Sequence, residues 1–490
     1  MKILFVYPGY IVREVPLNVM YVSAACREAG HTTRLFHFSP YKKISWHKNI
    51  SQRVEEGFLK YIEDFSPDIV AFSVMVQDYA LTKRLSWIAK NLFKIPVIWG
   101  GIQPILEPEK SIAEKEVDYI CTGEGEHVFV EFLKRLGNRE DTTKTEGIWA
   151  KDSQGRIYRN GCPELIDNLD QLPFPDRDLF EPEYYRAELT GANILTARGC
   201  PFLCSFCQNK ALMEHYKGKG RFVRHRSLDN VFKEMEYVIE KYQAPSFYLS
   251  DEMFTLDKQR AIEFCQEYKK RINKPFMVQT RADYMDKKMA RELADAGCFM
   301  VNMAIESGNE YIRNKVLKKN ISTAKIIEAY RSVAENGMMT ASFNMIGLPK
   351  ETHKQVWETI DINRKLRPDR IMCSIFMPLP GTELGEQCRA EGLIAGNVTE
   401  TTNYYSQVVV DNKNISGRTL VGYQGFFDWF VLLPKGLYWF VHMLRLIYQM
   451  LVSPAIPDNL ISRNIREIII EQVYQMKKYL PHKNLHLKSR

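Results

Sequence analysis

No stretch of the chain reaches eighteen uncharged apolar residues, the length a membrane-spanning helix needs. The nearest approach is GLYWFVHMLRLIYQMLV, Gly436 to Val452, which His442, Arg445 and Gln449 interrupt at spacings of three and four. That spacing puts a polar stripe on an otherwise apolar helix. The reading is a helix docked on the protein's own core; a helix in peripheral contact with lipid and a wall for an apolar substrate are the alternatives. The opening MKILFVYPGY lacks the length and the small-residue cleavage site of a signal peptide and reads as a buried first strand. Low-complexity tracts are missing, and 45% apolar with 26% charged residues excludes a disordered chain. Regular disulfide spacing is missing too: apart from one cluster, the ten cysteines are scattered, which fits a reducing cytoplasm. The net charge of +8 is partly carried by the terminal MKKYLPHKNLHLKSR, with five Lys or Arg and no acid, read as a solvated, frayed end. No nucleic-acid partner is expected.

With 490 residues the chain is too long for one hydrophobic core. Its first part alternates strand-like runs (KILFVY, HTTRLFHF, PDIVAFSVMV, PVIWGG, VDYIC) with helical patterns, which predicts a Rossmann-like, doubly wound parallel sheet. Ligands of such sheets bind outside the carboxyl ends of the strands. Gly100 and Gly101 follow one strand there, and Gly123 and Gly125 follow the next. They mark either close approach of a large ligand or ordinary tight turns. DSQGRIYRNG reads as a hairpin and DNLDQLPFPDRDLFEPEYY as a wrapping linker. A second series of six strands (ANILTAR, SFYLSD, FMVQTR, FMVNMAIES, TASFNMIG, RIMCSIFMPLP) suits a partial, open parallel barrel with its site at the carboxyl ends of the strands. The expected organisation is α/β: a front domain over 1–140, a linker over 141–188, the partial (β/α)6 barrel over 189–385 and a mainly helical region, a substrate or cap element, over 386–490.

Three cysteines stand within eight residues in LTARGCPFLCSFCQNK: Cys200, Cys204 and Cys207, after the first barrel strand. Clustered thiolates bind zinc, copper or iron–sulfur centres. Structural zinc asks for four ligands, and no second pair follows at zinc-finger spacing. A cubane iron–sulfur cluster held by three cysteines keeps one iron open for a substrate.

The C-x3-C-x2-C spacing, with Phe206 just before the last cysteine, resembles the signature of the radical S-adenosylmethionine superfamily. The resemblance implies a [4Fe-4S] cluster on Cys200, Cys204 and Cys207, with S-adenosylmethionine on the open iron. It also nominates contacts to that cosubstrate at successive strand ends: Phe206 in the cluster loop; Ser250, Asp251 and Glu252 in YLSDEMF; Arg281 in QTRAD; Glu306 and Ser307 in AIESG; Gly347 and Glu351 in MIGLPKET. Each has a plainer reading, a helix cap for Asp251 and Glu252 or a core ion pair for Glu306.

The front domain, through WGGIQPILEPE, VDYICTGEGEHVF and the linker LDQLPFPDRDLF, resembles the cobalamin-binding group of that superfamily (class B methylases and cyclases) over about residues 1–385. This implies cobalamin, with Ser73, Gln77, Gly100, Gly101, Gly123, Glu124 and Gly125 as candidate contacts. The D-x-H-x-x-G motif that supplies a lower cobalt ligand in many cobalamin proteins is absent. Gln77 or water is the expected neighbour of that face.

The implied reaction is reductive cleavage of S-adenosylmethionine to a 5′-deoxyadenosyl radical and functionalisation of an unactivated carbon, foremost by methyl transfer. The alternatives are a radical cyclase or rearrangement enzyme on a large apolar substrate, lipid or tetrapyrrole-like, and a non-catalytic cobalamin or redox sensor. The implied partners are a small apolar substrate and an electron donor such as flavodoxin or ferredoxin, with the enzyme a monomer. No general acid or base is nominated.

Overall fold

The computed structural model describes residues 1–7, 16–37, 50–186, 191–395 and 407–451, without the side chains of 50–52 and 447–451. The basic terminal stretch and the last residue of the Gly436–Val452 segment lie outside the described residues.

The front part runs β1 (Lys2–Tyr7), α1 (Leu17–Glu28), β2 (Thr32–His37), α2 (Ile50–Phe65), β3 (Ile69–Ser73), α3 (Tyr79–Trp87), β4 (Val97–Gly100), α4 (Ile102–Leu106), α5 (Pro108–Ala113), β5 (Tyr119–Cys121) and α6 (Gly125–Gly137). β1 and β3 are buried on both faces, as their unbroken apolar runs require. The strand order is β2-β1-β3-β4-β5-β6-β7, where β6 is Ile148–Lys151 and β7 is Ile157–Tyr158. β1 to β5 pair in parallel, whereas β5–β6 and β6–β7 are antiparallel. The DSQGRIYRNG hairpin forms, but it is pinned to the sheet edge rather than lying free in the linker. Asp152 closes its turn by accepting from the N–H groups of Gln154 and Arg156, each at 2.9 Å.

The second part runs β8 (Ala192–Ile194), β9 (Ala197–Arg198), α7 (Gln208–His215), β10 (Arg224–His225), α8 (Leu228–Tyr242), β11 (Phe247–Leu249), α9 (Lys258–Arg271), β12 (Phe276–Thr280), α10 (Lys287–Asp295), β13 (Cys298–Glu306), α11 (Thr323–Glu335), β14 (Met339–Ile346), α12 (His353–Leu366), β15 (Arg370–Ile375) and α13 (Glu383–Ala390). Six strands form one parallel sheet in the order β15-β14-β13-β12-β11-β8, and β9 pairs with β10 as a separate antiparallel ribbon. All six predicted barrel strands are present, but the first, ANILTAR, is split: Ala192–Ile194 joins the sheet and Ala197–Arg198 leaves it as β9. Helices start on side-chain caps where the sequence offers them: Ser227, Asp257, Asp286 and Ser322 each accept an N–H from the first turn.

Past the barrel come α14 (Gly417–Gly425), α15 (Phe427–Leu432) and α16 (Tyr438–Leu451). Their aromatics pack on α12 and β15: Phe430 lies 5.1 Å from Trp357 between ring centroids, in one cluster with Ile360, Cys373, Ile375 and Val441. Arg364 donates to the carbonyls of Phe430, Val431 and Leu433, covering the open end of α15. α16 is therefore docked on the protein's own core through Tyr438, Val441 and His442. Its other face leaves Trp439, Met443 and Leu446 exposed. Among the described residues no helix is long and apolar enough to cross a membrane.

Candidate functional site

The loop bearing the three cysteines leaves β9 through Gly199, whose φ is +90°. A side chain there would place its Cβ 2.4 Å from the carbonyl oxygen of Phe222, so this position accepts only glycine. The loop is held from behind, where Ser205 donates its N–H to the carbonyl of Leu317 (3.1 Å) and its hydroxyl to that of Val316 (2.6 Å). Cys207 turns back on Cys204 through an N–H···O bond of 3.2 Å and leads into α7.

Burial pushes all three thiols up, that of Cys207 to about 11; neighbouring thiolates add to it at Cys200 and Cys207, and Glu306 adds to it at Cys204. The Arg281 and Lys319 cations work in the opposite direction at Cys204. The Arg281 guanidinium stands 3.8 Å from Cys204 Sγ and 3.7 Å over the Phe202 ring, and Asp283 and the carbonyl of Lys319 hold it there. Among the described residues, no three His, Cys, Asp or Glu side chains gather around a single ion position. A cubane takes one thiolate per iron, so its ligands stand around a body rather than a point. Three mutually interacting thiols without a fourth, beside two cations, fit that group better than a mononuclear ion.

The other strand ends divide into two kinds. Arg281, Glu306, Glu252 and Phe206 stand near the cysteines. Glu306 ends β13 with φ +65°, a conformation costly for a side-chain residue, and pairs with the buried Lys319 (3.2 Å), which also acts on Cys204. Glu252 is reachable by solvent yet crowded by protein atoms, so its carboxyl is raised by desolvation. Phe206 joins the cluster of Val76, Met345, Leu348 and Phe376, where the β3–α3 loop meets the barrel. Asp251, Ser307, Gly347 and Glu351 instead brace backbone. Asp251 is buried and accepts from the Thr196 and Ala197 N–H groups (2.6 and 3.1 Å) and from the Thr196 hydroxyl. Glu351 accepts from the N–H groups of Gly347 (2.6 Å) and Leu348 (3.3 Å), and burial lifts it to about 8. Gly347 has φ +79°, and Ser307 accepts from the Asn309 N–H at 3.2 Å. Ser250 bonds back to β8, its N–H on the carbonyl of Ile194 (2.8 Å).

Beside the cysteine loop, between the front sheet and the barrel, lies a mainly apolar cleft enclosing about 1360 Å³ of atom-free space, open to solvent; the flanking Gly199 and Asn209 reach it, and the three cysteines are not among its lining residues. Ser73, Gly100, Gly101, Gly123, Glu124 and Gly125 line it from the front sheet; Arg198, Gly199, Asn209 and Glu252 line it from the barrel. Gly101 has φ +91°, and a Cβ there would meet the Val74 backbone at 3.0 Å. The two glycine-bearing strand ends thus form one wall of the same cavity. This concave, apolar wall with few polar groups fits a large flat ligand such as a corrin. Gln77 does not line the cleft: it is buried, with its amide 3.4 Å from Met75 Sδ. No histidine is among the lining residues.

Sequence reasoning missed Asn18, which donates to Ser73 Oγ at 3.0 Å, and the pair Arg198 and Arg224, which bind Glu124. Arg198 carries a signal in its position, since it stands two residues ahead of Cys200; the other two carry none.

Comparison with known proteins agrees with this geometry. The family model of the Radical SAM superfamily matches residues 194–362, and that of the B12 binding domain matches residues 10–133. An uncharacterized methyltransferase of Pyrococcus horikoshii is 29% identical over 359 residues, 72% of this chain and 75% of that protein. The anaerobic magnesium-protoporphyrin IX monomethyl ester cyclase of Rubrivivax gelatinosus is 24% identical over 447 residues, 87% and 77% of the two chains. The fold matches the radical S-adenosylmethionine methyltransferase TsrM of Kitasatospora setae, solved with cobalamin and a [4Fe-4S] cluster, with a TM-score of 0.63 at 18% identity over 97% of this chain and 99% of that one. The barrel is thus the domain that works with S-adenosylmethionine and a [4Fe-4S] cluster, and the front sheet is the domain whose ligand is cobalamin. The chain is a cobalamin-dependent radical S-adenosylmethionine enzyme, with its B12 binding domain ahead of the barrel.

Proposed function

We propose that this enzyme transfers a methyl group to an unactivated carbon of a small apolar substrate, with Cys200, Cys204 and Cys207 as the cluster ligands. The observation that carries this reading is the single cleft: the glycine-bearing ends of the front sheet share it with Arg198, Gly199 and Asn209, which flank the cysteine loop of the barrel. When bound, the cluster delivers one electron to S-adenosylmethionine to give a hydrogen-abstracting radical, and cobalamin supplies the methyl group. The chain's own residues bind, orient and exclude water. Cys200, Cys204 and Cys207 would hold the cluster by three thiolates, and the iron without a thiolate would be available to S-adenosylmethionine. Arg281 and Lys319 offset the negative charge of the thiolates. Glu252 and Glu306 offer acceptors to the amino and ribose groups of the cosubstrate, while Asp251, Ser307 and Glu351 hold the strand-end loops that approach it. Once a ligand fills it, the apolar lining of the cleft would keep solvent from a reactive centre. The reading requires an electron donor, such as flavodoxin or ferredoxin, and takes the enzyme as a cytoplasmic monomer.

The test is anaerobic purification with reconstitution, reading iron, sulfide and cobalt on one sample. About four irons and one cobalt per chain support the proposal; zinc in place of iron, or iron without cobalt, overturns it. The Rubrivivax relative, aligned over more of the chain than the Pyrococcus one, favours a second reading, a radical cyclase. Methyl-labelled S-adenosylmethionine separates the two: label in the product means methylation, and its absence with 5′-deoxyadenosine released means cyclisation.

A further inference from the structure

At the junction of the two domains the cleft floor holds a closed set of ion pairs. Arg198, on β9, binds Glu124 (3.0 Å) and Glu126 (2.6 Å) of the front domain. Arg224, on β10, donates to Glu124 from both terminal guanidinium nitrogens, at 2.7 and 2.8 Å. Glu124 also accepts from the N–H of Ile166 in the linker, at 2.9 Å. All four side chains are at least five-sixths buried, so the pairs are poorly screened, and breaking one leaves an uncompensated charge.

The position of this set in the chain is more informative than its energy. Glu124 lies between Gly123 and Gly125, the strand-end glycines of the cleft. Arg198 is followed directly by Gly199 and Cys200. A two-carboxylate grip on one planar guanidinium fixes its orientation as well as its place. Whatever displaces the Gly123–Glu126 turn is therefore transmitted to the first residues of the cysteine loop through one side chain.

We propose that Arg198 is a positioning residue that couples the cobalamin cleft to the cluster loop, so that each cofactor, once loaded, strengthens the site of the other. Linkage makes the effect reciprocal. The inference rests on the cofactor assignments above.

The test titrates hydroxocobalamin into anaerobic full-length protein with and without the reconstituted cluster, and records electron paramagnetic resonance of the reduced cluster with and without cobalamin. In the wild type, cobalamin is expected to bind about tenfold more tightly when the cluster is present, and the cluster's g-values are expected to shift on cobalamin addition. In Arg198→Met the affinity ratio falls to near one and the spectral shift disappears, at unchanged iron content. Arg198→Lys, one point charge in place of a fork, recovers part of the ratio. Glu126→Gln serves if Arg198→Met does not fold, and it too lowers the ratio. A wild-type ratio of one, or a ratio that survives in Arg198→Met or Glu126→Gln, overturns the proposal. Failure of the wild type to bind cobalamin at all overturns the cofactor reading with it, whereas binding without coupling overturns this inference alone.

Discussion

Asp176 and Arg177 are neighbours in the linker and hold opposite halves of the molecule. The Asp176 carboxylate accepts from Ser23 (2.6 Å) and from Arg27 (2.8 Å), both on α1 of the front domain. The Arg177 guanidinium is fully buried, pairs with Glu234 on α8 of the barrel, and donates to the carbonyl of Asn193 at 2.8 Å. Glu234 also receives Arg226, so one carboxylate sits between two guanidinia. The motif PFPDRDLF is thereby a clamp: Asp176 holds the front domain, whereas Arg177 and Asp178 hold the barrel, Asp178 by accepting from Lys241 (2.9 Å) and Tyr242 (2.7 Å) on α8.

That arrangement makes Glu234 a stability position. Glu234→Ala strands two buried cations and is expected to cost about 3–5 kcal/mol. Denaturant unfolding, compared with Asp176→Ala, checks it: the Asp176 variant loses less, because Arg27 is half exposed.

Replacing Cys200, Cys204 and Cys207 together with Ala is expected to remove the iron and leave the far-ultraviolet spectrum unchanged, because the loop is held by Ser205 and α7 rather than by sulfur. Iron content equal to wild type in this variant refutes the ligand assignment. Because burial holds the thiols protonated, Cys207 up to about 11, cluster assembly must release protons. Reconstitution is therefore faster at pH 8.5 than at pH 7, as followed by cluster absorbance.

Arg281 places a fixed positive charge beside Cys204. Adding an electron to an anionic cluster is easier next to a cation. Arg281→Met is thus expected to make the cluster harder to reduce, by about 1.4 kcal/mol or roughly 60 mV for one electron. A redox titration followed by electron paramagnetic resonance measures this; an unchanged midpoint contradicts it.

Glu351 carries a pH signature. Burial raises its folded value to about 8 from an ordinary 4.5, so the folded state retains a proton that the unfolded chain has released. Its contribution is complete below about pH 4.5 and is lost as pH rises through about 8. Glu351→Gln keeps the carbonyl that accepts from Gly347 and Leu348 and has no charge to bury. Unfolding free energies at pH 5 and pH 8 should show the variant gaining on the wild type at the higher pH. Glu351→Ala leaves two buried N–H groups unpaired and should lose about 2 kcal/mol at pH 5, a deficit that shrinks at pH 8 because Ala too has no charge to bury.

The alternation of apolar runs with helical spacing determined both α/β series, all six barrel strands, and the place of the cysteine loop after the first of them. These are local properties: a strand's burial and a helix's stripe are written in the spacing of a few neighbouring residues. The C-x3-C-x2-C spacing is local too, which is why the three cysteines are legible as the proposed ligand set in the sequence itself. Which charges meet is not local. Arg198 finds Glu124 from 74 residues away and Arg281 finds Cys204 from 77, and nothing in either segment names its partner. Only the tertiary structure placed Gln77 away from the cleft, laid the 148–158 hairpin on the sheet edge, and turned Asp251 and Glu351 inward to brace their own loops. Side-chain partners at long range are chosen by packing and by the need to pair every buried charge, and both exist only once the chain has closed on itself.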